Sequence, residues 1–397
     1  MSTQSMSSPL DLSGMRNKAF FVGVVFTGAC MVGALSNSQQ FWRSYLLAFI
    51  YWLMVPVTCG GLLMLHHLVG GQWGVVIRKQ LEAGTRTLPL NFLFAIPLML
   101  NLSKVYEWAD HHHVEKDKIL QAKAFWLNPE FFMIRMAIYF TIWFVLSWCL
   151  NTWSYKQEEG ASDAEREAAK EKLRNISGIG VALHVLTVTF ASFDLGMSLE
   201  PHWMSSIYGF LFVVGGALAT MAFNILVLAR VAKEQPMSHL AKPNHYADLG
   251  TLMFAFTVLW AYASMMQYLI IWSGNLSEET PFYFKRFQGI WLNIATCLMV
   301  FHFAVPFVLL LMRFNKRKVA IITKIAGFMM VMRLIDLMWY VAPSFHEVTE
   351  AGHFYPHWMD FAAPVAVGGL WIGFYAWQLG RRSMQPVEEY RLAGGHH

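Results

Sequence analysis

Charge is what this chain of 397 residues has least of: Asp, Glu, Lys and Arg make up 14% of it, against 56% hydrophobic residues. Soluble globular domains carry about 25% charge, so a soluble reading would need every long apolar run to be a buried core helix, and one or two domains cannot hold that many. Cysteine is equally scarce. The four (Cys30, Cys59, Cys149, Cys297) sit in apolar runs with no C-x-x-C or C-x-x-C-H spacing, which excludes a disulfide framework and a c-type haem attachment and leaves them as small core residues. There is no Walker A sequence, no G-x-G-x-x-G after a strand and no cluster at metal-ligand spacing, so a nucleotide or a redox carrier has to belong to another subunit. The net charge of +5 is spread over short loops without a basic, aromatic-interleaved patch, which argues against nucleic acid. The polar start "MSTQSMSSPLDLSGMRNK" has no cleavage signal, so the first apolar run is expected to stay as a helix.

What the chain does have is long apolar runs. A bilayer span needs about 20 residues, and ten segments qualify: 19–36, 45–69, 87–106, 130–152, 176–196, 206–231, 249–272, 289–312, 319–341 and 360–379. All are read as helices, because backbone in lipid must satisfy its own hydrogen bonds and barrel-type alternation is missing. The expectation is an all-α polytopic membrane protein with a cytoplasmic segment 1–18, a membrane domain 19–379 and a cytoplasmic tail 380–397.

Counting Lys and Arg by side tests the partition. With Lys104, Arg230 and Lys324, near the ends of their spans, counted in the adjoining connections, the N-terminus, the even-numbered connections and the C-terminus hold 21 of the 30; the odd-numbered connections hold 7, and Arg135 and Arg333 lie deeper within spans. That bias puts both termini in the cytoplasm. The largest inward connection, Ser154 to Arg174, reads as a charged cytoplasmic helix. The outward loops from Tyr106, Phe193, Ser273 and Ala342 are rich in Trp, Tyr, Phe and His, which suits both an interfacial belt and a surface covered by partner proteins.

Charge inside the spans is the feature that asks for an explanation. An Arg or Asp at a helix centre costs about 2.5–3.5 kcal/mol on insertion scales, so pairing is expected. Arg333 and Asp336 are three apart on one helical face, with Asp336 roughly 8 Å from the outer end. Arg135 in the fourth span and Asp194 in the fifth reach a similar level, and His184, Thr187, Ala191 and Asp194 share one arc of a helix, as do Thr257, Trp260, Ser264 and Gln267. Two readings stay open: ion pairs that hold a bundle together, or an outward-facing polar cleft with a proton-conducting line of side chains. His184 and His302 titrate near neutral pH when unperturbed, although each alone also suits a hydrogen-bonded core histidine.

Taken together, "YEWADHHHVEKDKILQAKAFWLNPEFFMIRMAIYF", "TVTFASFDLGMSLEPHWMSSIYGF", "DLGTLMFAFTVLWAYASMMQYLIIWSGNLSEE" and "VMRLIDLMWYVAP" resemble the NrfD/PsrC superfamily of quinone-interacting membrane subunits, and within it the ActF subunits of bacterial alternative complex III, paralogues of ActC. The likeness runs from about Arg86 to Leu379. It implies two four-helix bundles from spans 2–5 and 6–9 with two peripheral helices. It also implies a complex that oxidises quinol or menaquinol and passes electrons through partner iron-sulfur and multihaem c subunits toward a cytochrome c or terminal oxidase. This chain would have an ActC-like paralogue and membrane lipids as neighbours and no covalent cofactor of its own. By the same likeness, Arg135, Asp194, Arg333 and Asp336, with Glu200 and His202 of "SLEPHW", belong to an outward half-route or a quinone-pocket-like cavity, and His184, His302 and Asp248 to an inward half-route. A purely structural subunit of that complex, a secondary transporter and a haem b protein ligated by His184 and His302 are the rival readings.

Overall fold

Gly70 and Gly71, at φ 73° and 99°, occupy backbone conformations that side-chain-bearing residues rarely adopt, and they reverse the chain between two helices where a plain polar loop is expected. Helix α2 (Ser38–Val69) ends there and α3 (Gln72–Thr85) begins, lying back against it. The computed structural model describes residues 11–160, 162–234, 237–346 and 355–382. These are helical nearly throughout, with no strand among them.

Around α2 and α3 stand α1 (Ser13–Ser36), α4 (Leu88–Met99), α5 (Pro129–Glu159), α6 (Asp163–Leu195), α7 (Tyr208–Val231), α8 (Pro243–Gly274), α9 (Gly289–Leu311), α10 (Val319–Val341) and α11 (Trp358–Gly380). Eight of them, all but α3, α4 and α10, are long and apolar enough to cross a membrane among the described residues. The chain is thus an all-α protein with the helices of a multi-pass membrane protein. Of the ten expected spans, 87–106 is represented by the 12-residue α4, which ends in 3-10 turns at Leu102–Lys104 and Glu107–Ala109, and 319–341 by α10, which carries Lys324, Arg333 and Asp336.

α5 packs on α6, α2 on α4 and α6, α7 on α8 and α10, and α9 on α8 and α10, while α1 pairs with α11, which lies on α2. α2 and α6 both also meet α7, and α2 and α7 are buried along most of their length. The other helices keep exposed apolar residues such as Phe21, Trp148, Ile179 and Val331, the faces that lipid would cover.

The stretch Ser154 to Arg174 forms no separate helix. Its charged residues extend α5 to Glu159 and start α6 at Asp163, where Ser162 and Glu165 form a capping box. Residues 1–10 of the N-terminal segment, 347–354 of the last outward loop and 383–397 of the tail lie outside the described residues.

Candidate functional site

Helix α6 finishes at Leu195 and α7 starts at Tyr208, and the end of the bundle that they define gathers the intramembrane charges. Arg135, six residues into α5, donates from Nε and Nη2 to the two carboxylate oxygens of Asp194, both at 2.8 Å. Tyr139, one turn further along α5, donates its hydroxyl to Asp194 Oδ2 at 2.8 Å, and Arg135 Nη1 donates to the Trp126 carbonyl at 2.8 Å. The guanidinium also lies over the Trp126 and Phe131 rings. The bidentate fork satisfies both partners with Arg135 4% and Asp194 1% exposed.

Arg333 and Asp336 form a second pair within α10, both buried. Trp260 of α8 donates its indole N–H to Asp336 Oδ2 at 3.1 Å, and Arg333 pairs through Nη1 with the same oxygen. Asp336 Oδ1 and Arg333 Nε are left buried without a hydrogen-bond partner among the described residues. Gly215 of α7 makes room for this guanidinium: a Cβ there would fall 2.3 Å from Arg333 Cζ. The His302 ring, fully buried, stacks on Trp260 with centroids 4.2 Å apart. It lies in a π-helical turn, Leu298–Ala304, that interrupts α9; such turns arise often at functional sites because they re-aim side chains. Further along α8, both amide atoms of the buried Gln267 also lack partners. The arcs read from sequence do face the interior, since His184, Thr187, Ala191 and Asp194, and likewise Thr257, Trp260 and Gln267, are all buried.

The four charges expected at a similar level form two ion pairs, Arg135 with Asp194 and Arg333 with Asp336. Each Arg is bound to the nearest Asp. A cavity of about 30 Å³ is lined mainly by Met54, Trp143, Ala191, Ser192, Leu195 and Phe212, room for about one or two waters. Met54 reaches from this cavity to Arg333, its sulfur 3.9 Å from Nη2, while Ala191, Ser192 and Leu195 belong to the turn of α6 that holds Asp194.

Glu200 and His202 part company although only Pro201 separates them. His202 is half exposed on a loop and contacts Asp117 at 2.6 Å. Glu200 is buried beside Arg286, Nη1 to Oε1 at 2.8 Å, and accepts from Ser344 at 2.8 Å, with Lys285 at 3.6 Å. Arg286 was not foreseen. It is fully buried and donates to the carbonyls of Trp339, Tyr340 and Phe282, so it clamps the end of α10 to the loop before α7. The signal available in the sequence was one Arg in an aromatic loop, "PFYFKRF". Burial pushes the Glu200 carboxyl up, and Arg286, Lys285 and the Ser344 hydroxyl more than offset this, so it lies below the ordinary carboxylate range.

A carboxyl whose folded pKa is depressed stabilises the fold above its unfolded value, about 4.3 for Glu, and loses that contribution as pH falls through the lower folded pKa. We therefore expect the denaturation midpoint of the wild type to fall more steeply than that of Glu200→Gln below about pH 4.3. Parallel profiles for the two proteins would refute the assignment.

The three residues of the expected inward half-route lie on different helices, α6, α9 and α8. His184 packs against Gly61 of α2, His302 against Trp260 of α8, and Asp248 is exposed near the start of α8. The opposite end of the bundle instead holds a buried cluster on α3. Arg78 donates to Glu82 at 3.1 Å, to Ser154 at 3.0 Å and to Gln157 at 2.7 Å, and Lys79 pairs with Glu82 and Glu158. The Arg78-to-Glu82 spacing was the signal for it; α3 reads as a loop only because its hydropathy is low.

The aromatic outward loops turn inward in part. Tyr106, Trp108, Trp203 and Phe282 are buried, Trp203 stacking on Phe282 at 3.8 Å, and they roof the polar end, whereas Phe125, Met204 and Phe284 remain exposed. Comparison of the chain with protein-family models finds no match, and neither does a search among curated proteins.

Proposed function

We propose that this chain is the proton-handling membrane subunit of a bacterial inner-membrane complex that oxidises quinol, with ten spans in two four-helix bundles, both termini cytoplasmic and Asp336 as the group that takes up and passes on the proton. The observation that carries the reading is the incomplete bonding of Arg333 and Asp336. A buried carboxylate oxygen without a partner costs about 1–3 kcal/mol or more, and a fold tolerates such a cost where the group has work to do. Asp336 Oδ1 is that atom, beside a π-turn and within the same pocket of side chains as Trp260 and His302.

Each quinol oxidised gives up two electrons and two protons. The electrons leave through iron-sulfur and haem groups of partner subunits; a proton needs a base, and an ionised Asp336 held by Arg333 is one. The cavity beside Met54 and Ala191 admits water and not a quinone ring, which favours oxidation of the quinol in a paralogous neighbour and proton passage here.

A second reading has its own observation. The Arg135–Asp194 fork, with Tyr139 and Trp126, leaves neither charge short of partners, and this favours a structural clasp for that pair. Proton handling is therefore assigned to Asp336 and bracing to Arg135 and Asp194.

Membership in the complex is tested by affinity purification of the full-length chain from native membranes, followed by haem staining and quinol:acceptor assays. We expect a multihaem partner to co-purify and membranes lacking the chain to lose quinol oxidation by this route. A preparation without haem, from membranes whose quinol oxidation survives deletion, would overturn the reading.

A further inference from the structure

At the opposite end of the bundle, a groove of about 760 Å³ runs between the α3–α4 turn, the later part of α5 and the end of α11. One end of it is cationic, with Arg86, Arg381 and Arg382. The other is a wall that includes Phe92, Phe144 and Trp148. Trp148 is 69% exposed, as is much of neighbouring Leu93, so the wall faces outward from the bundle.

None of the three guanidiniums has a carboxylate partner among the described residues. Arg86 donates to neutral acceptors, Asn151 Oδ1 at 2.8 Å and the Gln378 carbonyl at 3.2 Å. Arg381 lies over the Trp377 ring and Arg382 over the Tyr155 ring. Arg382 Nη1 is buried with no hydrogen-bond partner among the described residues. The nearby carboxylates Glu82 and Glu158 are taken by Arg78 and Lys79. Burial, opposed by Glu82 and reinforced by the Arg382 and Arg381 charges, pushes the Arg86 guanidinium down to about 10. The groove thus concentrates positive charge that its own residues do not neutralise.

From this geometry we infer that the groove binds an anionic phospholipid, its headgroup phosphate against Arg86, Arg381 and Arg382 and an acyl chain along Phe92, Phe144 and Trp148. Guanidinium and phosphate match in a bidentate fork. A soluble anion would need only the cationic end, whereas an amphiphile uses both ends. From Phe144 to Thr152 the groove follows α5 for roughly 12 Å, long enough for a headgroup and the first part of a chain. On the orientation proposed above, the lipid belongs to the cytoplasmic leaflet, where basic pockets between helices meet anionic headgroups. The inference does not depend on proton handling by Asp336.

The test uses the delipidated full-length chain in micelles, titrated with tail-brominated phosphatidylglycerol or tail-brominated phosphatidylcholine. The readout is quenching of Trp148 fluorescence, taken as wild type minus Trp148→Phe. Phosphatidylglycerol is expected to quench at lower concentration than phosphatidylcholine. Arg381→Gln, which removes an exposed guanidinium with no hydrogen bond to lose, should weaken it about fivefold, and Arg86→Gln with Arg382→Gln about 25-fold. Lys170→Gln, on the exposed start of α6, should leave it within a factor of about two. Equal quenching by the two lipids, or an unchanged affinity in Arg381→Gln, would overturn the inference. So would displacement of the lipid by inorganic phosphate at matched concentration, since that marks a site for a soluble anion.

Discussion

Asp336→Asn is expected to lower quinol-coupled proton release by the assembled complex about a hundredfold or more, the range for loss of a positioned proton acceptor. Asparagine has nearly the shape of aspartate and still accepts from Trp260 through its carbonyl, but it cannot take up a proton. The substitution also leaves Arg333 charged, buried and unpaired, so a fall in activity alone does not distinguish lost proton transfer from a weakened fold. The double variant Arg333→Gln with Asp336→Asn separates the two causes, because replacing both members of a buried pair by neutral groups is far milder than removing one. Stability should then return while proton release stays low. Asp336→Glu, which keeps the carboxylate one methylene further out, should recover part of the rate. Wild-type proton release in the folded double variant would remove Asp336 from the route.

The second large effect concerns the other pair. Asp194→Ala strands the Arg135 guanidinium at 4% exposure and takes from Tyr139 its acceptor. Breaking a buried pair from one side costs about 3–5 kcal/mol, here expressed as a lower midpoint in chemical denaturation of the micelle-solubilised chain. Arg135→Met combined with Asp194→Leu should regain most of that loss, since apolar residues of similar volume carry no desolvation penalty. If Asp194→Ala costs less than about 1 kcal/mol, the value of an exposed pair, the clasp is not what joins α5 to α6. The two substitutions are predicted to differ in kind: one mainly removes proton transfer, the other mainly stability.

The difference between the pairs was not legible in the sequence, which shows four ionisable residues at similar depth and nothing of their hydrogen bonds. Arg333 and Asp336 could be paired from their spacing, because three residues apart on a helix means one face. Arg135 and Asp194 are 59 positions apart, and their union depends on the α5–α6 hairpin. The pairing has a geometric reason: each carboxylate meets a guanidinium on its own or the adjacent helix.

Composition and period alone determined that the chain is helical, apolar enough for membrane-length helices, and charged at only a few interior positions, because hydrophobicity and spacing are local properties of the chain. Tertiary structure decided the rest. It turned α3 into a buried helix whose charges neutralise one another, brought Arg286 from a loop onto Glu200, drew four aromatics in as a roof and left one oxygen of Asp336 without a partner. These depend on which side chains meet across helices, and a buried charge is tolerated or costly according to its partners, which only the folded chain supplies.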